Sequence, residues 1–562
     1  MNFSKNKIMK GLYRLTVVAL MLGFSMSCSD NYLEENPPHL ITSETLFTSY
    51  SGFEAGLNGL YALVRHEREG LAGSSSMTTE LFMNGTDNIV TNHVVGSFNN
   101  VAMFWETENN SLVGFYNDGF SWLYKVVNTA NTLIVQAEKE GVDWEGGGHS
   151  ADENKQLLLA NARAARAWAY RHLVFGWGDV PLNLEETNGT TIKTDWSRTP
   201  MAEVRRQMIA DWRFAEQYVP VEPIPGQISK GAVQHYLAET YLVLNNLDSA
   251  LYWVDQVVNT PNYKLVTERY GVDADKPGVP FMDMFKGGNT NREEGNTEAL
   301  WVFQFEPRTV GGGSNPIERR HHISRFSSIN INGVSPLILT EERGYGLGRM
   351  SLTKWAIENY EPQDDRGSEY AIRKFFILQD AAQNAPFPAD RLPEGYQYGD
   401  TIWLDWSSDI SFEARGRTNW PYSRKVEWKD PTNVQNDYSF KDAIYLRLAE
   451  TYLLRAEILY RLNRTSEAVD VLNSIRRRAH ASEIDENDVD IDFILDERSR
   501  ELVLEEHRRY TLLRTGKWLE RTRRYNHNGG QRIVERDTLF PIPQVVIDAN
   551  LTSPMTQNQG YN

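Results

Sequence analysis

The chain carries none of the spacings by which common catalytic sites are recognised in a sequence. It has no HExxH, no paired CxxC and no G-x-S-x-G, and the RTGKW segment at 514–518 lacks the upstream glycine of a phosphate-binding loop. The GYGLG segment at 344–348 does not join a strand to a helix, so no dinucleotide site is predicted. Adjacent acids such as Asp364 and Asp365 are frequent, but sequence spacing does not give the carboxylate separation that a glycosidase requires. We therefore predict no catalytic residues, with a glycoside hydrolase on a helical scaffold as an alternative.

Metal-ligating patterns are weak as well. His321 and His322 are adjacent and would not easily face one ion. Asp273 and Asp275, in the loop GVDADKPG, could ligate calcium, but the loop lacks the EF-hand spacing. We predict no cofactor and no metal, with calcium at this loop as the remaining alternative.

Aromatic residues point to a different kind of chemistry. The chain has 15 Trp, 26 Tyr and 23 Phe, which is more Trp than a core usually needs and suggests exposed platforms for binding. An aromatic ring stacks on the apolar C–H face of a pyranose, while Asn, Asp, Arg and Gln side chains bond its hydroxyls. The composition therefore favours sugar binding.

Two segments combine rings with such polar side chains, the segment 87–105 and the aromatic middle of the chain. The predicted ligand-binding residues are Asn88, His93, Phe98, Asn99 and Trp105 in the first, and Arg320, Phe326, Trp403, Trp406 and Trp420 in the second. The TIWLDWSS segment alternates like a strand and places Trp403 and Leu404 on opposite faces, so some of these rings must belong to the core. Phe104 and Trp105 have core packing as their alternative role, and Trp168, Trp301 and Trp518 are predicted to be buried.

The elements that would position these residues are helical hairpins. In the segment 441–479, apolar residues recur at spacings of three and four from Ile444 onwards, and a second helix resumes the pattern after Asn463. The segment 229–259 repeats the motif. Small residues are twelve positions apart in both hairpins, at Ala238 and Ala250 and at Ala456 and Ala468. This spacing is typical of tetratricopeptide-like hairpins, which stack because one hairpin cannot bury its apolar face alone.

The expected fold is mainly α, with tetratricopeptide-like hairpins in an α–α superhelix that supports an irregular, loop-rich subdomain with a few short strands. The helical scaffold is predicted at about 44–66, 118–260 and 441–525, and its last part includes one long charged helix at 492–523. The segment 261–440 is rich in Gly, Pro, Asn and aromatic residues and is too long for a simple loop. With the excursion 67–117, it is predicted to form the ligand-binding subdomain.

The N-terminus is predicted to be a lipoprotein signal peptide at residues 1–27, followed by a single domain at 28–562. A basic segment and an apolar stretch precede Cys28, the only cysteine of the chain. Such a cysteine would become the lipidated first residue and hold the protein to a membrane without a spanning helix. Removing the segment lowers the net charge of −17 by four more, and this acidity argues against nucleic acid as a partner.

Five stretches of the chain resemble the SusD/RagB family of outer-membrane nutrient-uptake lipoproteins, in the family's order. They are the segment around Cys28, GFEAGLNGLYALV, ARAARAWAYRHLVFGWGDVPL, YLRLAETYLLRAEILYRLN, and DERSRELVLEEHRRYTLLRTGKW together with FPIPQVVIDANLTSPMTQNQGY. One departure is Glu506 and His507, where the family often has Gly and a second charged residue. We expect that departure to affect helix packing and not function.

The resemblance implies a binding protein without enzymatic activity. It would capture an oligosaccharide or polysaccharide and deliver it to a SusC-type TonB-dependent transporter barrel, which it covers as a lid. It would be lipid-anchored and surface-exposed at the outer membrane. A peptide or another nutrient as the ligand, or a purely structural helical scaffold, are the alternatives.

Overall fold

The computed structural model describes residues 43–71, 75–76, 78–92, 98–189, 191–313, 316–379, 391–406, 417–427, 434–435 and 438–561. Cys28 and His93 lie outside the described residues, as do the side chains of Phe98 and Asn99. Residues 43–48 contain one short helix, and residues 49–562 form a second unit that holds every site considered below. Within the described part of the chain, no helix combines the length and apolar character needed to cross a membrane.

The described chain is dominated by helices. The α-helices are α1 Ser43–Leu46, α2 Tyr50–Arg65, α3 Phe98–Met103, α4 Trp105–Glu108, α5 Gly114–Ala137, α6 Ala151–Trp177, α7 Met201–Tyr218, α8 Lys230–Val243, α9 Leu247–Val258, α10 Pro280–Asp283, α11 Glu318–His322, α12 Lys354–Glu358, α13 Leu448–Arg461, α14 Thr465–Arg478, α15 Ile491–Leu502, α16 Arg508–Arg514, α17 Trp518–Tyr525 and α18 Gln544–Ala549.

The strands are short and pair two by two in antiparallel fashion. They are β1 Gly70–Leu71, β2 Ser75–Ser76, β3 Ile89–Thr91, β4 Ala299–Phe303, β5 Met350–Leu352, β6 Ile372–Arg373, β7 Phe375–Ile377, β8 Thr401–Trp403, β9 Tyr422–Ser423 and β10 Ala443–Arg447. The pairs are β1–β2, β3–β5, β4–β10, β6–β9 and β7–β8. β3 lies in the excursion 67–117, and β5 lies in the segment 261–440, which we call the insertion. These two irregular segments are therefore joined by a strand pair.

Consecutive helices of the scaffold pack as neighbours. From α5 to α9, each helix packs on the next, and α2 lies against α5 and α6. The stack continues across the insertion, because α9 packs directly on α13, which packs on α14 and α15. This arrangement confirms the mainly α, tetratricopeptide-like fold predicted from the hairpin spacing.

The two hairpins that share a sequence pattern also share a turn. Asn245 between α8 and α9 and Asn463 between α13 and α14 both take the left-handed backbone conformation, with φ of 57° and 58°. Asn is one of the few residues that adopt it readily. The four alanines of the repeated pattern are fully buried. The hairpins are direct neighbours, since α8 and α9 pack against Leu454 and Ile458 of α13.

Two predictions for the C-terminal third are wrong. Ile444 is not helical: it lies in β10, and α13 begins only at Leu448. The strand forms because β4, far away in sequence, pairs with it. The long helix predicted at 492–523 is three helices, α15 to α17. At the first break Leu504 has a φ of 65°, and the Lys425 ammonium bonds the main-chain oxygens of Glu501 and Val503, which satisfies acceptors left at the helix end.

Buried charges join the scaffold to the insertion. The Arg447 guanidinium lies 3.0 Å from a carboxylate oxygen of Glu298, 2.6 Å from Glu501 and 2.5 Å from Glu505. The Arg478 guanidinium lies 2.5 Å from Glu298 and also contacts Glu501. Burial alone would raise the pKa of Glu501, but the guanidiniums of Arg478 and Arg447 hold it well below its ordinary value. We call these five residues the Arg447 cluster.

Candidate functional site

The most exposed tryptophan among the predicted ligand residues lies on the two-stranded sheet β7–β8. Phe375 pairs with Trp403, Phe376 with Ile402, and Ile377 with Thr401. Side chains alternate between the two faces of a strand, so Phe375, Ile377, Thr401 and Trp403 share one face. Trp403 is 62% exposed, and its ring lies 5.0 Å from that of Phe375 at an interplanar angle of 55°. We call these four residues the Trp403 face.

The opposite side of this sheet is anchored in the core of the insertion. Phe376, Ile402 and the adjacent Leu404 are buried in one apolar cluster, where Phe376 stacks on Phe326 with ring centroids 4.8 Å apart. Trp403 and Leu404 thus point to opposite sides, as the alternation of TIWLDWSS predicts. The buried side packs the sheet onto the core, and the opposite side exposes the Trp403 ring to solvent.

Two of the ligand residues predicted in the segment 87–105 have packing roles instead. Trp105 is fully buried, and its ring contacts that of Trp518 edge-on at 5.8 Å. The side chain of Asn88 is also buried and accepts a hydrogen bond of 2.5 Å from the Ser499 hydroxyl. A ring without exposed surface cannot stack on a sugar, and a buried amide bonded to Ser499 is not accessible to a sugar hydroxyl. The structure therefore corrects the binding role predicted for both residues.

Of the remaining candidates in the middle of the chain, two are buried and two are half-buried. Phe326 is buried against Phe376, and Trp420 is buried with its indole N–H donating to the Leu352 carbonyl oxygen at 2.8 Å. Both are core residues and not ligand contacts. Trp406 is half-buried against the core cluster that contains Trp420, and Arg320 is half-buried on α11. Trp168, Trp301 and Trp518 are buried, as predicted.

Two cationic side chains contact Asp273 in the loop considered for calcium. The Asp273 carboxylate lies 2.7 Å from the Lys276 ammonium. The main-chain oxygen of Asp273 accepts a hydrogen bond of 2.7 Å from Arg269. A divalent cation would have to displace or approach these positive charges, so the arrangement disfavours calcium.

A buried histidine cluster brings together three remote parts of the chain, and the sequence analysis did not identify it. Glu67, His172 and His507 bring three potential ligand atoms within 4.8 Å of one another. Nε2 of His507 is 2.6 Å from Glu67, while Nδ1 lies 3.1 Å from a guanidinium nitrogen of Arg171. Because Arg171 only donates, Nδ1 must accept, and Nε2–H then donates to Glu67. A cation on Nε2 would require the opposite tautomer, with a ring N–H facing Arg171, so the geometry favours a hydrogen-bonded core over a metal site.

No signal in the sequence identifies this cluster, because its members come from the turn after α2, from α6 and from the turn before α16. Glu506 and His507, where the chain differs from the usual family pattern, both have packing roles in the structure. Glu506 is buried, with a carboxylate oxygen 2.6 Å from Arg498 and another 2.9 Å from Arg508.

Buried histidines make the stability of the fold sensitive to acid. Burial lowers the pKa of His235 to about 3, whereas an unfolded histidine keeps its ordinary value. The unfolded chain therefore takes up a proton as the pH falls below about 6.5 while the folded chain does not, so stability is lost on acidification. We expect His235→Gln to remove about 1 kcal/mol of the wild-type stability loss between pH 7.5 and 5.5, measured by urea denaturation at both values.

The exposed His149 provides the control for this measurement. A His149→Gln variant should keep the wild-type pH dependence. Equal pH dependence of His235→Gln and wild type would contradict the assignment of acid sensitivity to this buried ring. The Gln side chain can still bond the Thr451 hydroxyl, which lies 2.9 Å from Nδ1 of His235.

Asp364 and Asp365, the adjacent acids considered for glycosidase chemistry, each contact a basic side chain of the protein. Asp364 is buried and forms an ion pair of 2.8 Å with Arg366, and Asp365 lies 2.8 Å from His480. The four residues of the Trp403 face carry no carboxylate. This face can stack on an apolar surface of a ligand, and the Thr401 side chain offers one hydroxyl. None of its four side chains is suited to general acid–base catalysis.

Two family models together span most of the chain. Residues 298–561 match the model described as the SusD family. Residues 31–242 match the model described as starch-binding associating with outer membrane.

Curated relatives and solved structures agree with these matches. The SusD-like protein P25 of Formosa agariphila is 24% identical over 97% of this chain and 99% of its own length. The starch-binding protein SusD of Bacteroides thetaiotaomicron is 33% identical over 22% of each chain.

Two solved structures have the same fold over most of the chain. Surface glycan-binding protein A from Bacteroides thetaiotaomicron, in complex with laminarihexaose, aligns with a TM-score of 0.67 at 18% identity, over 91% of this chain and 100% of its own. A laminarin-binding SusD-like protein aligns with a TM-score of 0.65 at 19% identity, over 91% of this chain and 99% of its own.

Proposed function

This chain belongs to the SusD/RagB family, and from that premise we propose that it is a glycan-binding protein of the outer membrane. It captures an oligosaccharide or polysaccharide at its surface and delivers it to a TonB-dependent transporter barrel of the SusC type. Family models and relatives named for starch and glycan binding support the ligand class. Binding, without bond cleavage, is the activity proposed.

The exposed Trp403 ring is the observation that carries the proposal for this chain. An indole held at 62% exposure offers a face on which the C–H side of a pyranose can stack. The tilted Phe375 ring beside it supplies a second apolar surface, and the Thr401 hydroxyl can bond a sugar hydroxyl. Such a shallow site suits weak, reversible capture and release to a partner.

Affinity electrophoresis against a panel of polysaccharides, with released sugar measured in parallel, tests this function. We expect retardation by at least one neutral glycan without release of reducing sugar. Sugar release would identify a hydrolase and contradict the proposal. If no glycan retarded the protein, a scaffold or a different nutrient ligand would be favoured.

The lipid anchor makes a separate prediction. We expect full-length protein expressed in a bacterium with lipoprotein processing to partition into the membrane fraction, and a Cys28→Ala variant to become soluble, because the acyl chains supply the membrane affinity. Fractionation followed by immunoblotting measures this. Membrane retention of the variant would show that Cys28 is not the anchor.

A further inference from the structure

The exposed side of the sheet β7–β8 continues past the Trp403 face. The Leu378 N–H donates to the Asp400 carbonyl oxygen at 2.9 Å, and the Gly399 N–H donates to the Leu378 carbonyl oxygen at 2.8 Å. The two strands therefore stay bonded beyond their last regular pair, and the alternation along β7 brings Gln379 onto the same side as the Trp403 face. Gln379 is exposed and Leu378 is buried, as this alternation requires.

The neighbouring strand has a β-bulge at the same end of the sheet. Gly399 and Asp400 both lie opposite Leu378, and Gly399 has a φ of 97°, which glycine adopts readily and other residues rarely do. Gly399 is exposed, and a Cβ added to it would meet no other atom within 4 Å. The bulge therefore leaves open surface beside the main chain that leads into Gln379, and a ligand on the Trp403 face can extend toward this end.

A buried arginine holds the Gln379 side chain. Nη2 of Arg343 donates to Oε1 of Gln379 at 2.9 Å, and Nε of Arg343 donates to the Thr340 hydroxyl at 3.1 Å. The guanidinium also lies 5.5 Å from the centroid of the Phe326 ring and 5.4 Å from that of Phe376, two rings of the apolar core beneath the sheet. Arg343 is only 6% exposed, so the Gln379 amide is anchored from the packed interior.

The contacts of Arg343 fix the orientation of the Gln379 amide. Arg343 forms no ion pair with a described residue, and a buried charge of this kind carries a desolvation cost that contacts with aromatic rings offset only in part. A guanidinium can only donate, so the amide oxygen must face Arg343. The amide NH2 bonds no other described residue, which leaves it free to donate to a ligand hydroxyl.

We propose that Gln379 is a further ligand-contacting residue of the glycan site, with Arg343 as its positioning residue, and that the site takes a sugar chain of at least three residues along β7. This proposal rests on the proposed glycan function and deepens it. From Phe375 to Gln379 the strand spans about 14 Å, at about 3.4 Å per residue, which is roughly the length of three linked pyranose rings. One sugar stacks on the Trp403 ring, the next lies over the middle of the Trp403 face, and a hydroxyl of the third accepts from the Gln379 NH2.

Binding of a size series tests the proposal, with oligosaccharides of two to six residues prepared from the polysaccharide that retards the wild-type protein. We expect the affinity of the wild-type protein, measured by calorimetry, to rise from the disaccharide to the trisaccharide. Gln379→Leu should weaken binding of the trisaccharide and longer chains by about threefold to tenfold, the effect of one lost hydrogen bond. The affinity for the disaccharide should not change.

The positioning role of Arg343 has a separate readout. Arg343→Met keeps an apolar stem against the two rings and removes the donor to Gln379, so it should cause the same loss for the longer chains. Combined with Gln379→Leu, it should cause no further loss, because both changes remove one interaction. Denaturant unfolding should show that both variants remain folded. A purely structural role of Arg343 would instead add its own loss in the double variant.

A matched amide provides the control. Gln217→Leu removes an exposed amide from α7 and should bind every chain as wild type does. The proposal is overturned if Gln379→Leu binds the longer chains as wild type does, if it loses affinity equally for the disaccharide, or if the wild-type affinity does not rise beyond the disaccharide. In those cases weaker binding by Trp403→Ala would leave the proposed glycan function standing. If no polysaccharide retards the wild-type protein, both proposals fail.

Discussion

Replacing Arg447 by alanine should lower the free energy of unfolding by about 3–5 kcal/mol, the cost of removing one partner from a buried ion pair. The guanidinium bonds Glu298, Glu501 and Glu505, and all four side chains are buried. Without it, these carboxylates keep Arg366, Arg478 and Lys425 as nearby cations among the described residues, which do not replace its bonds to all three. Denaturant unfolding followed by tryptophan fluorescence measures the loss.

A surface ion pair provides the control. Arg464 and Glu467 lie 2.5 Å apart on α14 and its N-terminal turn, and both are largely exposed. Arg464→Ala should leave the unfolding midpoint almost unchanged, because exposed pairs contribute little. If Arg447→Ala were no more destabilising than Arg464→Ala, the Arg447 cluster would not be what joins the insertion to the scaffold.

Replacing Trp403 by alanine should weaken glycan binding by about tenfold or more, which corresponds to about 1.4 kcal/mol. The indole is the largest exposed apolar surface of the Trp403 face. Its removal leaves only Phe375 and Ile377 as apolar contacts for a sugar ring on that face. Binding is measured by affinity electrophoresis or calorimetry with a glycan that retards the wild-type protein. A Trp403→Phe variant should retain part of the affinity, because a smaller ring can still stack.

Tyr252 provides a matched aromatic control for this experiment. It is 56% exposed on α9 of the scaffold, about 120 positions before Phe375 of the Trp403 face. Tyr252→Ala should bind the glycan as wild type does, and both variants should unfold like wild type since each side chain is mainly in solvent. Full affinity in Trp403→Ala would place the glycan site elsewhere.

The structure also separates candidate residues that looked alike in the sequence. Trp105, Trp403 and Trp420 all lie in segments that mix rings with polar residues, yet only Trp403 is mainly exposed. The strand alternation of TIWLDWSS gave the correct facing for Trp403 because a strand places alternate residues on opposite sides. Trp105 and Trp420 lie outside regular strands, so no local period indicated which way they point.

The sequence by itself determined the helical scaffold. Apolar residues at helical spacing, small residues at equal positions in two hairpins and an Asn at each turn are local features, and local patterns decide which segments form hairpins. The proposed lipid anchor also rests on the sequence alone, at Cys28.

Only the tertiary structure decided the rest. Ile444 became a strand residue because β4, about 140 positions earlier, pairs with it, and the predicted helix at 492–523 broke where Lys425 of the insertion bonds its carbonyl oxygens. The Arg447 cluster and the buried histidine cluster likewise join residues that are remote in the chain. Burial and pairing depend on such non-local contacts, and a single sequence carries no period or spacing that records them.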